Sequence, residues 1–227
     1  MGIAENLQKI REKIPEPVTL VAVSKTKPDE IILEAYQAGH RDFGENKVQD
    51  LAAKQERLPA DIRWHMIGHL QSNKVKYLAS FVHMIHGVDS LKLLSVINKE
   101  AAKHERVIDC LLQVHIAMED TKFGLSEEEL MRLLDSEAFK ELNHIRIRGL
   151  MGMATYTENS NQIREEFRHL KRIFDRLKDE RFSGQDSFDQ LSSGMSGDYT
   201  LAIEEGSNLV RIGSLIFGPR NYSNSKL

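Results

Sequence analysis

Lys25 ends the apolar run Val18–Lys25, and alternate counting puts Thr19, Val21, Val23 and Lys25 on one face of an extended strand. An ammonium on an otherwise apolar face loses hydration, which lowers its pKa and frees the amine to attack a carbonyl carbon. The plainer alternative is a strand-end lysine whose stem covers apolar surface while its charge reaches water. Lys27, directly before Pro28, reads as a loop residue. A second cluster, Ser192-Ser193-Gly194-Met195-Ser196-Gly197-Asp198, lies between the run Phe188–Leu191 and a helical segment, Tyr199–Glu205. Small residues ahead of a helix leave backbone N–H groups open where the dipole favours an anion. Ser196 adds a hydroxyl, Gly197 leaves room for close approach, and Asp198 suits an N-cap. A capped turn with no ligand is the competing reading.

Arg211 sits inside the apolar stretch Val210-Arg211-Ile212-Gly213-Ser214. Its guanidinium cannot lose a proton, so it requires an acceptor, either a ligand or an internal acid such as Asp189. Gly213 would let a ligand come close to the backbone. Other polar residues carry weaker signals. Glu45 and Asn46 end one run, and His65 lies near the end of the next. His65 and His69 are four apart, but Gly68 breaks the helix that zinc ligation at that spacing needs. His83 and His86 have no acid or cysteine at metal spacing. Cys110 reads as a small buried hydrophobe, and Met151 and Met153 as core or an apolar wall for a flat ligand. No triad order, nucleophile elbow, Walker loop or dinucleotide glycine fingerprint is present.

The elements that must position these residues alternate regularly. Val18–Lys25, Arg41–Asn46, Ile62–Gly68, Met84–Asp89, Ile108–Ile116, Ile145–Met153, Phe188–Met195 and Leu209–Gly218 are eight strand candidates. Val18–Lys25 is apolar on both parities, as a parallel strand covered on both faces should be. Between the runs lie helical stripes, Leu94, Ile97 and Ala101 in one and Ile163, Phe167, Leu170, Phe174 and Leu177 in another. Pro28-Asp29-Glu30 and Ser126-Glu127-Glu128-Glu129 read as helix starts. An extra helix within residues 1–17 carries Ile3, Leu7, Ile10 and Ile14. The pattern predicts a single α/β domain over residues 1–227, a (β/α)8 TIM-type barrel with an extra N-terminal helix and a tail over 219–227. An open doubly wound sheet is the alternative. In a barrel, chemistry belongs at the C-terminal strand ends, and phosphate often binds at the loops after strands 7 and 8.

Composition narrows the classes. The 227 residues carry 31 Lys+Arg against 34 Asp+Glu, which gives no sign of a nucleic-acid partner. A hydrophobic share of 41% and a charged share of 29% exclude wholesale disorder. No apolar run approaches the ~20 residues of a membrane helix, and the charged N-terminus is no secretory signal. Gly2 fails the myristoylation pattern because Asn6 stands where Ser or Thr is needed. One cysteine suits a reducing compartment, so the expectation is a cytoplasmic enzyme or small-molecule binder, monomeric for want of a long exposed apolar helix face.

Several motifs occur together in order: Val21-Ala22-Val23-Ser24-Lys25-Thr26-Lys27-Pro28, Phe43-Gly44-Glu45-Asn46, Trp64 to Lys74, Gly149-Leu150-Met151-Gly152-Met153, Ser192 to Asp198, Val210-Arg211-Ile212-Gly213 and Ile216-Phe217-Gly218. Across Val18 to Gly218 the chain resembles the pyridoxal phosphate homeostasis protein family, which adopts the barrel of the alanine racemase N-terminal domain. It departs at Ser193, where that family more often has methionine. The resemblance implies that Lys25 forms a Schiff base with pyridoxal 5′-phosphate and that Ser196, Gly197 and Gly213 hold its phosphate. It further implies that Arg211 faces the pyridine nitrogen and that Asn46, His65 and Met151 line the ring pocket. The implied function is cofactor buffering or delivery to pyridoxal phosphate-dependent apoenzymes, affecting amino-acid and keto-acid balance, without substantial catalysis. An amino-acid racemase is the alternative. It needs acid and base groups on both ring faces, one from a second domain, and the chain ends nine residues after Gly218. A Schiff-base aldolase would need an acid beside the lysine and a sugar-phosphate pocket, neither of which can be placed.

Overall fold

The computed structural model describes residues 2–119 and 123–219, so most of the expected tail, 220–227, lies outside the described residues. Eight strands follow one another: β1 Thr19–Val23, β2 Asp42–Glu45, β3 Arg63–Met66, β4 Met84–Val88, β5 Ile108–Gln113, β6 Ile145–Met151, β7 Gln190–Ser192 and β8 Leu209–Ile212. All neighbours are parallel and the order β1 to β8 closes on itself, with Val21 beside Arg211 and Ala22 beside Ile212 across the seam. Closure excludes the open doubly wound sheet.

The helices are α1 Ile3–Arg11, α2 Asp29–Gln37, α3 Val48–Arg57, α4 Leu91–Ala102, α5 Glu127–Asp135, α6 Glu137–Lys140, α7 Ser160–Glu180, α8 Tyr199–Glu204 and α9 Ser214–Phe217, with a 3-10 segment at Ser72–Tyr77. Ile3, Leu7 and Ile10 bury one face of α1. That helix stops at Arg11 instead of running to residue 17, ahead of Pro15 and Pro17, which lack backbone donors. Pro28 is the N-cap residue of α2 and not part of its first turn. Ser126 and Glu129 form a reciprocal capping box on α5. The α7 stripe is buried as its spacing required, Ile163, Phe167, Leu170, Phe174 and Leu177 all facing inward. Among the described residues no helix is long and apolar enough to cross a membrane.

The sheet separates two apolar groups. The larger fills the space between strands and helices, and a smaller one, Val21, Met84, Leu111, Met151 and Leu209, fills the barrel interior. Val21 therefore points inward, and by strand alternation so do Val23 and Arg211. The last two strands are shorter than their apolar runs. Gly194, with φ +90°, turns the chain off β7, and Gly213 starts α9 directly after β8. Gly149 is required where it stands: φ is +149°, and an added Cβ would lie 1.8 Å from the carbonyl oxygen of Gln190. Only glycine lets β6 approach β7 so closely, and β7 carries Ser192.

Candidate functional site

A cavity of about 650 Å³ opens at the C-terminal ends of the strands. Lys25, Asn46, Ser196, Gly197, Arg211 and Gly213 line it together, so six of the eight residues expected at the site meet there. Lys25 arrives from β1 with the inward parity of Val21 and Val23. The next residue, Thr26, has φ +66°, a left-handed conformation costly for a β-branched side chain, which turns the backbone just after Lys25.

The strand end is pinned from outside. Glu45, wholly buried, accepts hydrogen bonds from the Ser24 hydroxyl at 2.6 Å and the Lys54 ammonium at 2.7 Å. Lys54 Nζ also donates to the carbonyl of Ser24 at 3.0 Å. Burial raises the Glu45 pKa, and Lys54 and Ser24 act against that rise. Lys27 is separated in role from Lys25, because its amine donates to the carbonyls of Phe217 at 2.9 Å, Gly218 at 3.3 Å and Pro219 at 3.1 Å.

Two loops form one wall. The N–H of Gly213 donates to Ser196 Oγ at 3.3 Å, tying the loop after β8 to the loop after β7. The N–H groups of Ser196, Gly197 and Ser214 donate no hydrogen bond within the described protein, and all three residues line the cavity. Open donors beside Lys25 and Arg211 suit an anion. Asp198 occupies the N-cap position of α8 without capping it; its carboxylate instead accepts from the N–H of Met195 at 2.6 Å.

Arg211 is 4% exposed. Burial draws its pKa down to about 10, so it remains a cation at neutral pH. One guanidinium nitrogen donates to the Ser192 hydroxyl and the other to the carbonyl of Gly152 at 3.2 Å. The internal acid considered from the sequence, Asp189, is taken by Arg148 at 2.7 Å.

Two expectations are corrected. His65 points into the barrel but lies below the cavity, donating or accepting at Asp42 Oδ1 (3.1 Å) and His86 Nε2 (3.0 Å). Met151 is sealed in the interior apolar layer with Val21, Leu111 and Leu209, and Met153 reaches the cavity in its place. Position near a strand end does not give height along the barrel axis, and the core reading of Met151 is the one its packing follows. The cavity also takes Gln113 from β5 and a stacked pair, His69 over Phe123 at 4.3 Å, from loops after β3 and β5. No local spacing announces these, because closure alone brings them together. His69 sits inside the Trp64–Lys74 motif, the one signal that pointed there.

At the opposite mouth, Asp42, His65 and His83 bring ligand-type atoms within 4.8 Å of one another. Arg63 is bonded to both oxygens of Asp42, and Arg148 lines the same 220 Å³ depression. A divalent cation there would face two guanidiniums, so the cluster is an ion-pair site.

The family described as alanine racemase, N-terminal domain, matches residues 2–221. A pyridoxal phosphate homeostasis protein of Aquifex aeolicus is 40% identical over 98% of this chain and 100% of its own length. That of Escherichia coli K12 is 39% identical over 97% and 98%. Among solved structures, PipY of Synechococcus elongatus PCC7942 with pyridoxal phosphate (PLP) bound superimposes with TM-score 0.86 at 36% identity, covering 95% of this chain and 100% of that one. Alanine racemase of Bartonella henselae shares the fold, with TM-score 0.74 at 18% identity over 60% of that longer chain.

Proposed function

We propose a function from one premise: the chain belongs to the pyridoxal phosphate homeostasis protein family. It binds pyridoxal 5′-phosphate at the C-terminal mouth of the barrel and buffers or delivers it to cytoplasmic apoenzymes, with no substantial turnover of its own. The observation that carries this reading is the convergence of a lysine amine, an anion cradle and a buried guanidinium on one cavity. That donor set fits the cofactor's three recognisable parts, an aldehyde, a phosphate and a ring nitrogen. When bound, the cofactor supplies an electrophilic carbon and an electron-withdrawing ring.

The protein's own residues divide the work. Lys25 Nζ would be the amine that holds the cofactor through its aldehyde, with one water released. Ser196 and the N–H groups of Ser196, Gly197 and Ser214 hold the phosphate, with Gly213 keeping the two loops together. Asn46 and Met153 flank the ring. Arg211 would face the ring nitrogen; as a permanent cation it would disfavour protonation there, which would leave the ring a weaker electron sink than a carboxylate partner would. Restraint of carbanion chemistry supports a carrier over an enzyme.

Borohydride reduction of the loaded protein followed by peptide mass mapping tests the site. The phosphopyridoxyl group is expected on the peptide containing Lys25; finding it on Lys27, or nowhere, sinks the assignment. Turnover is tested by Cα proton exchange of L- and D-amino acids in deuterated buffer with cofactor saturating. Exchange at the rate of free pyridoxal phosphate supports a carrier. Rapid exchange with inversion for one amino acid, lost in Lys25→Ala, establishes a racemase instead.

A further inference from the structure

Five side chains from five strands form a continuous hydrogen-bonded line through the barrel. Arg211 of β8 donates to Ser192 Oγ of β7. Ser192 Oγ lies 3.3 Å from His86 Nδ1 of β4, and His86 Nε2 lies 3.0 Å from His65 Nδ1 of β3. His65 Nε2 lies 3.1 Å from Asp42 Oδ1 of β2. The line begins in the cavity and ends in the depression at the opposite mouth. Its three middle members are almost inaccessible to water: Ser192 and His86 are 0% exposed and His65 is 2%.

With both imidazoles neutral, the carboxylate at the foot of the line gives it one sense. A guanidinium only donates, so Ser192 accepts from it, and in this sense the hydroxyl gives its single proton to His86 Nδ1. His86 must then carry hydrogen on Nε2, which it gives to His65 Nδ1. His65 carries hydrogen on Nε2 in turn and gives it to Asp42, a carboxylate that only accepts. Both imidazoles are neutral. The charges around the line agree with that state. At its lower end Asp42 also takes Arg63, and Arg148 is neutralised by Asp109 and Asp189, while His83 lies edge-on to His65. At its upper end Arg211 lies against the field of Asp198. Burial first, and then the Arg211 cation, push the His86 pKa well below the usual histidine value.

We infer that His86 and Ser192 are positioning residues, which orient the Arg211 guanidinium in the cofactor cavity through a one-way relay anchored on Asp42 at the far mouth. The clause about the cofactor rests on the reading above; the relay itself does not. Each hydrogen bond in the line points the same way, so each polarises the next. Removing the anchor frees the sense of the whole line, although Asp42 touches neither His86 nor the cavity.

Long-range proton–nitrogen NMR of the cofactor-free protein reads the tautomers directly. Both His65 and His86 are expected as Nε2–H forms at neutral pH. Asp42→Ala is expected to shift His86 toward the Nδ1–H form along with His65, while Arg63→Gln, which leaves every bond of the line in place, moves neither. An Nδ1–H or cationic His86 in the unmodified protein overturns the relay, as does a His86 signal unmoved in Asp42→Ala. The cofactor arm uses Ser192→Ala loaded with pyridoxal phosphate. Its visible absorption band is expected to shift in maximum and pH midpoint while borohydride still traps the cofactor on Lys25; an unmoved band overturns the orienting role. Absence of trapping in the unmodified protein refutes the cofactor reading alone, and the tautomers still decide the relay.

Discussion

The proposed phosphate cradle depends on a few donors, and its energetics can be read residue by residue. Ser196 lines the cavity, accepts from Gly213 N–H, and retains its hydroxyl proton for a ligand oxygen. The N–H groups of Ser196, Gly197 and Ser214 add donors that need no side-chain ordering. A hydrogen bond to a charged group contributes roughly 1.5–3 kcal/mol. Losing two therefore costs about 3 kcal/mol or more, above a hundredfold in Kd. Pyridoxal without its phosphate should accordingly bind more than a hundredfold more weakly than pyridoxal phosphate in an absorbance titration. Equal affinity for the two would show that the loops hold something else. Ser196→Ala removes one hydroxyl donor and loosens the Gly213 tie, so about a tenfold weakening, or ~1.4 kcal/mol, is expected for the phosphorylated form only.

At the scale of elements, the weak seam of the barrel lies beneath that cradle. β7 and β8 share one register pair, Ser192 with Leu209, because glycine turns cut both strands short. Side chains replace the missing ladder. Asn208 Oδ1 accepts from Leu191 N–H at 2.7 Å and its Nδ2 donates to the carbonyl of Asp189 at 2.6 Å. Ser207 Oγ accepts from the N–H of Ser193 at 3.1 Å and lies 2.9 Å from each of the carbonyl oxygens of Leu191 and Ser193. Ser193, the residue that departs from the family pattern, is therefore held by its backbone, and its side-chain type matters less. Ser207→Ala strands a buried N–H and should cost about 1–3 kcal/mol in urea denaturation, with weaker phosphate binding because the loop loses its anchor. A stable variant with unchanged Kd would show that the seam does not transmit to the cradle. The strands and the face that Lys25 shares with Val21 and Val23 were legible in the sequence, since apolar runs and alternation are local properties. The register between strands is not local. His65 and Met151 lie near strand ends in the sequence, but their height along the axis depends on register, and the Asp42–His65–His86–Ser192 line, drawn from four strands, left no spacing to detect.

For the molecule as a whole, two buried histidines set the acid limit of stability. His40 Nε2 lies 2.8 Å from the carbonyl of Asp42 and its Nδ1 is 3.2 Å from an Arg11 guanidinium nitrogen, an arrangement that suits the neutral ring. Burial pushes its pKa down to about 4, and His86 is pushed well below the usual value by burial and then by the Arg211 cation. Both pKa values are lowered on folding, so above pH ~6.5 neither state binds these protons and the contribution is intact. As pH falls from about 6.5 toward 4 the unfolded chain takes up protons that the folded chain refuses. Stability then falls by up to about 1.4 kcal/mol per pH unit for each histidine, about 2.7 for both. The Asp42 carboxyl titrates in a lower window: burial would raise it, but the hydrogen bonds from Arg63 and His65 hold it well below the usual range. Urea denaturation of the cofactor-free protein between pH 7.5 and 5 should therefore show a steep loss before carboxylates protonate, and His40→Phe should reduce the slope by one histidine's share, His83 being lowered to about 4 by burial as well. A flat profile over that interval would contradict both burial assignments. The relay explains why His86 cannot escape this cost: a proton added to its ring would set a second cation against Arg211 inside the barrel, with Ser192 unable to donate to either.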